Sequence, residues 1–389
     1  MTAQRANRAH DVVLAHLGEP GSRSLIATPA LVCDVDLLTA NVQKMTGMTT
    51  NAGVALRPHT KTHKSAFIAR RQLEAGAIGL SFAKLSEAET MIEQLILDGV
   101  TGTVSTLLTS PLVGAAAAAR AAALATRCDL IVVVDHVNGV IEFADALRAG
   151  DATITVLCDV DVGQRRSGVV GPDDALSLVE NVGEESQLVF GGVQGYGGQL
   201  QHLGGREERR RSATESSRRL EVVISALERA GHDVKIRTGG GTGTTLIDIE
   251  IAVLNELQPG SYVFMDREYR DALGDDPEGV FGQSLFIATT VISANQQGFV
   301  TVDAGSKAMA TDAGPPWIVG HEGTAAFDFS GDEQGTVTNP PDRPFRRGEQ
   351  LMLVPPHCDP TVDKYDVIWL VRENIVIDVI DVTARGRSQ

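Results

Sequence analysis

Gly53-Val54-Ala55-Leu56-Arg57-Pro58-His59-Thr60-Lys61-Thr62-His63-Lys64 sets a short apolar run directly before a turn that carries two histidines and two lysines within eight residues. The run reads as a strand, so the cluster stands at a strand's mouth. A lysine held there among other cations and partly desolvated has its pKa pushed down, and can act as an amine nucleophile that forms a Schiff base. A solvated basic turn is the plain alternative, and the rest of the chain decides between the two.

Outward from that stretch, from about Leu31 to Asp266, short β-branched runs alternate with longer Ala/Leu/Glu-rich segments at helical spacing. This is the pattern of parallel βα units. Candidate strands are Leu31 to Val35, Gly53 to Leu56, Ile78 to Ala83, Thr103 to Leu108, Leu130 to Asp135, Thr153 to Asp161, Leu188 to Gly195 and Val234 to Arg237. Eight such units close into a (β/α)₈ barrel of the TIM type, with its chemistry at the C-terminal ends of the strands; an open doubly wound sheet is the alternative. Ala115 to Ala125 reads as an ordinary high-propensity helix. After Met265 the helical segments stop. Ser284 to Ala294, Gly298 to Asp303, Gln350 to Val354, Val367 to Arg372 and Ile375 to Val382 read as strands divided by Gly/Pro/Asp turns, an appended all-β domain. Ser24 to Ala27 is a further candidate strand for it. The expected organisation is an N-terminal segment 1–30 contributing to the β domain, a barrel over 31–266, and a C-terminal β domain over 267–389.

A chain of 389 residues with formal net charge −16 lacks the clustered cations that a nucleic-acid or anionic-membrane surface demands. No stretch reaches the apolar length of a membrane span, and MTAQRANRAHDVV lacks the apolar core of a signal peptide, so a cytoplasmic protein is expected. The four cysteines (Cys33, Cys128, Cys158, Cys358) show no CxxC spacing, which argues against a disulfide framework or a thiolate zinc knuckle.

If the barrel forms, residues just past its strands face one pocket. His59 and Lys61 follow the second candidate strand; Asp159, Asp161 and Arg166 lie at or past the sixth; Tyr196, Gln199 and His202 follow the seventh. Thr238-Gly239-Gly240-Gly241-Thr242-Gly243-Thr244 follows the eighth. Its backbone N–H groups and threonine hydroxyls suit a single phosphate group, and the loop after strand eight is part of a recurrent barrel phosphate site. Together with a Schiff-base lysine, that loop points to pyridoxal 5'-phosphate. Far downstream, in Val354-Pro355-Pro356-His357-Cys358-Asp359-Pro360-Thr361, an extended segment projects His357 and Asp359 to one face. Imidazole plus carboxylate makes two legs of a divalent metal site, for Mn²⁺, Mg²⁺ or Zn²⁺, although such a pair is also common as mere structure.

The ordered motifs TPALVCDVDLLTANV, RPHTKTHK, AKLSEAE, DVGQRRSGV, GYGGQ, TGGGTGT, LQPGSYVFMD, VDAGSKA and PPHCDPT span nearly the whole chain. In that order the chain resembles the D-threonine aldolase and D-serine dehydratase family, the metal-assisted branch of the alanine-racemase-like (fold type III) pyridoxal phosphate enzymes. Its HCDPT and ARGR features look most like those of the 3-hydroxyaspartate aldolases. The resemblance implies an alanine racemase N-terminal type of barrel carrying the cofactor, a β domain carrying the metal ligands, and a homodimer. It makes Lys61 the Schiff-base lysine, His59 the acid/base, and Arg166 and Tyr196 neighbours of the cofactor ring. Thr238, Gly240, Gly241 and Thr242 fall in the phosphate cradle, and His357 with Asp359 in the metal pair. The implied reaction cleaves a 3-hydroxy-D-amino acid to glycine and an aldehyde. The alternative is a dehydratase that releases ammonia and a keto acid; its branch shows His-x-Cys where this chain has Asp359. A non-catalytic cofactor carrier is the rival from another class. One departure stands out: Gly331-Asp332-Glu333-Gln334-Gly335 occupies the place where many relatives carry an acidic pair followed by His-Gly.

Overall fold

A computed structural model describes residues 8–148, 150–274, 276, 281–340 and 344–389. The chain divides into two compact units. One gathers Lys44–Gly260 with a short return near Ala272 and the C-terminal Gly386–Gln389; the other gathers the N-terminal residues up to Gln43 with Ser261–Asp271 and Phe281–Arg385. The units therefore part near 43 and 260, where boundaries at 30 and 266 were expected.

The first unit is an eight-stranded parallel sheet. In chain order its strands are Ala55–Leu56, Leu80–Phe82, Ser105–Leu108, Asp129–Val134, Ile154–Asp159, Leu188–Gly195, Ile236–Gly239 and Glu256–Leu257, and the first pairs with the last. The sheet then closes on itself. The Ile78 N–H donates to the Leu56 carbonyl at 2.9 Å, the Ser81 N–H to the Pro58 carbonyl at 2.9 Å, and His59 forms a parallel bridge with Ser81. Leu107, Ile131, Val133 and Leu157 fill part of the barrel interior, and burying each such side chain is worth about 1.5–3 kcal/mol. The alanine-rich helix Ala115–Ala125 turns Ala118, Ala121 and Leu124 inward. In helix Leu85–Leu97, the Glu87 carboxylate reaches back to the Lys84 N–H at 3.3 Å, satisfying a donor that the helix leaves open.

The barrel has the expected eight strands, but not the expected eight segments. The run read as its first strand is Ala30–Asp34, which lies in the β unit, antiparallel to Leu285–Ser293 and parallel to Val367–Arg372. A continuous apolar run fits any doubly covered sheet, so its pattern carried no information about which one. The strand that completes the barrel, Glu256–Leu257, is two residues long and below the reach of periodicity.

The β unit is a nine-stranded sheet with the path Phe327–Phe329, Gly335–Thr338, Phe299–Val302, Leu285–Ser293, Ala30–Asp34, Val367–Arg372, Ile375–Asp381. Gln350–Val354 pairs with Leu285–Ser293 and with Trp317–Ile318. Val13, Ile26, Val32, Ala288, Trp369 and Val376 belong to its core. Ser24 to Ala27 is not a strand: Ser22–Leu25 forms a helical turn whose Ser22 hydroxyl accepts from the Val376 N–H at 2.8 Å. All four cysteines are buried and none forms a disulfide. Among the described residues no helix is long and apolar enough to cross a membrane.

Candidate active site

Lys61 lies in a helical turn, Thr60–Thr62, directly after the first barrel strand. Buried Arg57 holds Glu256 in a fork, Nε to Oε1 at 2.9 Å and Nη2 to Oε2 at 3.0 Å. The His59 N–H donates to the Pro259 carbonyl at 3.0 Å, and Thr60 Oγ1 to the Ser81 carbonyl at 3.0 Å. Gly260 packs so closely that a Cβ there would meet Thr62 Oγ1 at 2.6 Å. His63 is fully buried, with Nδ1 accepting from the Ser65 N–H at 3.1 Å and Nε2 placed 3.2 Å from Gln72 Oε1. Lys64 pairs with Glu87 at 3.2 Å. These two residues brace the turn, which leaves Lys61 and His59 as its chemical pair.

The His59 ring is buried, and its Nε2 lies 3.1 Å from Thr109 Oγ1. That hydroxyl donates its proton to the Phe82 carbonyl at 3.1 Å, so the bonding pattern assigns the proton between ring and hydroxyl to Nε2. Lys61 and His59 share a pocket with Arg166, Tyr196, Ala83, Thr109, Ser110, Gln194 and Gln258. Lys61 Nζ stands 5.9 Å, and Arg166 Cζ 5.4 Å, from the centroid of the Tyr196 ring. Two basic side chains thus share one aromatic ring, and no carboxylate is among the described residues that line the pocket.

Behind the pocket wall, Gln194 Nε2 donates to Asp159 Oδ1 at 2.9 Å and to the Thr109 carbonyl at 3.0 Å. Burial pushes the Asp159 carboxyl up to about 6, against the bonds from Gln194 and Ser167 that favour its ionised form. Gln258 Nε2 donates to Thr238 Oγ1 at 2.9 Å, which ties the start of the glycine turn to the pocket. Gly240, at φ +68, takes a left-handed conformation. Side chains on Gly239 and Gly243 would strike the carbonyl oxygens of Gly195 and Gln201, so only bare backbone fits this turn. Of the residues the sequence singled out, Lys61, His59, Arg166 and Tyr196 line one pocket and Thr238 is bonded to it; Gly240, Gly241 and Thr242 continue the turn. Thr109, Ser110, Gln194 and Gln258 were missed. Each sits at or just past a barrel strand's end, which was the usable signal.

The second candidate pair lies in the β unit, and its local geometry corrects the expectation. The segment is not extended through both residues. His357 caps a short helix, Cys358–Val362, and Asp359 stands in its first turn. Thr361 Oγ1 donates to the His357 carbonyl at 2.6 Å, and Pro360 is tolerated because a first helical turn needs no intrahelical N–H. The Cys358 N–H donates to Asp266 Oδ2 at 2.8 Å; burial, with Asp266 and Asp359 nearby, holds the Cys358 thiol well above its ordinary pKa. His357 Nδ1 meets Asp312 Oδ2 at 2.8 Å. Burial works against the imidazolium, yet Asp359, Asp312 and Asp266 together hold the His357 pKa above its ordinary value. Asp312 carried no sequence signal. Among the described residues no group of three or more His, Cys, Asp and Glu is set to hold a metal ion, so His357 and Asp359 offer two protein legs at most. Such a site suits an ion that keeps positions for water or substrate. The Gly331 to Gly335 turn serves its own unit: Lys307 Nζ bonds Glu333 Oε1 at 2.6 Å.

The alanine racemase N-terminal domain family matches residues 33–268, and the putative serine dehydratase domain family matches residues 284–371. A D-threonine aldolase from Arthrobacter sp. is 36% identical over 376 residues, covering 96% of each chain. The chain belongs to the D-threonine aldolase family. A 3-hydroxy-D-aspartate aldolase from Paracoccus denitrificans is 32% identical over 376 residues, covering 95% of each chain. The crystal structure of D-threonine aldolase from Filomicrobium marinum matches with a TM-score of 0.89 at 33% identity, over 94% of this chain and 98% of that one. Membership of the D-threonine aldolase family makes the chain a carbon–carbon lyase, and accounts for the racemase-like barrel joined to a β unit.

Proposed function

We propose that this chain cleaves 3-hydroxy-D-amino acids of the D-threonine or 3-hydroxyaspartate type to glycine and an aldehyde, using pyridoxal 5'-phosphate and a divalent metal. The observation that carries the reading is the pocket in which Lys61 and Arg166 share the Tyr196 ring with no carboxylate present. That donor set fits an anionic, planar aldehyde. Lys61 would hold it covalently, Arg166 and Tyr196 would flank its ring, and the Thr238, Gly240, Gly241 and Thr242 turn would take its phosphate. When bound, the cofactor supplies an electron sink for the pair left at Cα.

His59 is held through Nε2 by Thr109, and its Nδ1, which accepts from the Lys61 N–H at 3.4 Å, would give up that bond to take the β-hydroxyl proton as the Cα–Cβ bond breaks; a histidine base of this kind contributes about 10²–10⁴-fold. His357, through Nε2, and Asp359 would hold Mn²⁺, Mg²⁺ or Zn²⁺, which would supply Lewis-acid chemistry. Asp312 fixes the imidazole by its bond to Nδ1. The same reading expects a cytoplasmic homodimer.

The test is product analysis over a small panel of 3-hydroxy-D-amino acids, with and without chelator. Glycine and an aldehyde formed only in the presence of metal are expected. Ammonia with a keto acid would move the chain to the dehydratase reading, and no turnover with covalently bound cofactor would mark a carrier.

A further inference from the structure

The turn proposed to take the cofactor's phosphate is braced from beneath. The Gly243 N–H donates to Gln201 Oε1 at 2.9 Å, and the Gly241 N–H to Thr244 Oγ1 at 3.3 Å. Gln201 Nε2 also donates to Thr244 Oγ1, at 3.2 Å. Two of the turn's amides thus point inward, to side chains that share one hydroxyl. That hydroxyl has a single proton to give, and it goes to Asp248 Oδ2 at 2.6 Å.

Asp248 lies directly behind the turn, since a Cβ on Gly240 would meet its Oδ2 at 2.5 Å. A void of about 20 Å³ adjoins it, room for one water. Val162, Leu200, Ala213, Ser216, Leu220 and Leu254 line that void, and Asp248 is its one ionisable lining residue. Glu250, on the same helix Thr245–Ile251, is drawn away to Arg206 and Arg210. Burial pushes the Asp248 carboxyl up to about 7, with the Thr244 bond opposing.

We propose that Asp248 is the positioning residue of the phosphate turn, acting through Thr244 as a neutral acid and making phosphate-group binding proton-linked. Neutral, it still accepts the Thr244 hydroxyl and adds no charge behind the turn. Ionised, it sets a negative charge immediately behind a second one. By linkage, a phosphate dianion on the turn favours protonated Asp248, and deprotonation weakens phosphate binding in return. This rests on the cofactor reading above, and its test separates the two.

The full-length chain, stripped of cofactor, is titrated spectroscopically with pyridoxal phosphate and with pyridoxal, which lacks the phosphate, at pH 6 and pH 8.5. The preference for the phosphorylated form should fall about tenfold more in the wild type than in Asp248→Asn, as expected for two like charges at close range. Equal changes in both proteins overturn the proposal. Absence of any preference for the phosphorylated form, in either protein at either pH, removes the phosphate assignment of the turn and the proposal with it. Should Asp248→Asn not fold, the wild type suffices: calorimetry at pH 8 in buffers of different ionisation enthalpy should show proton uptake with pyridoxal phosphate in excess of that with pyridoxal. Equal uptake contradicts the proposal.

Discussion

The Lys61 turn of the barrel unit and the His357 turn of the β unit are both strand-to-helix junctions, yet they gather opposite charges. Around Lys61 stand Arg166 and the Tyr196 ring, and behind the wall Asp159 is engaged by Gln194 and Ser167. Around His357 stand Asp359, Asp312 and Asp266. One fold element therefore serves two chemistries, and what lies just beyond the strand decides which. On the proposed reading, the cation-rich pocket would take an anionic carbonyl compound, and the imidazole among carboxylates would take a metal cation.

Lys61→Ala breaks the first pole outright. Covalent cofactor attachment should vanish and cleavage should fall by about 10⁵-fold or more, read by absorbance of the bound cofactor and by glycine production. His59→Ala should retain the bound-cofactor absorbance while turnover falls about 10²–10⁴-fold; unchanged turnover removes the histidine from the mechanism.

Asp159→Asn sharpens the electrostatics of the same pole. Its carboxyl is raised in the folded state, so its stabilising contribution is present in full below the unfolded pKa of 3.8 and is lost as pH rises through about 6. Across that window the wild type should lose about 3 kcal/mol relative to the variant, and the difference should level off above pH 7, by denaturant titration at stepped pH. At the second pole, Asp312→Ala should weaken metal binding about 10–100-fold, with activity recovering at high metal concentration. An effect on turnover that excess metal does not relieve would make Asp312 more than an orienting group.

The barrel was legible because its helical and strand periods alternate over a long stretch, and the candidate pocket residues stood out because titratable side chains cluster past strand ends. Lys61, His59, Arg166 and Tyr196 were found that way and line one pocket. Thr109 and Gln258 occupy equivalent positions just past strand ends but carry no titratable group, so position was the one signal that marked them. The strand Ala30–Asp34 was placed in the wrong sheet because an apolar run looks alike in both, and Glu256–Leu257 is too short to show a period. Asp312 meets His357 from 45 residues away, a contact that only the folded β unit creates. The extended geometry expected at His357 and Asp359 failed because Thr361 closes a helical turn that strand alternation does not foresee.

Borohydride reduction of the holoenzyme followed by peptide mass spectrometry tests most directly whether the amine of Lys61 carries the cofactor: a pyridoxyl group is expected on the peptide containing Lys61 and on no other lysine. A label on a different lysine, or no label on a protein that turns over its substrate, would contradict it.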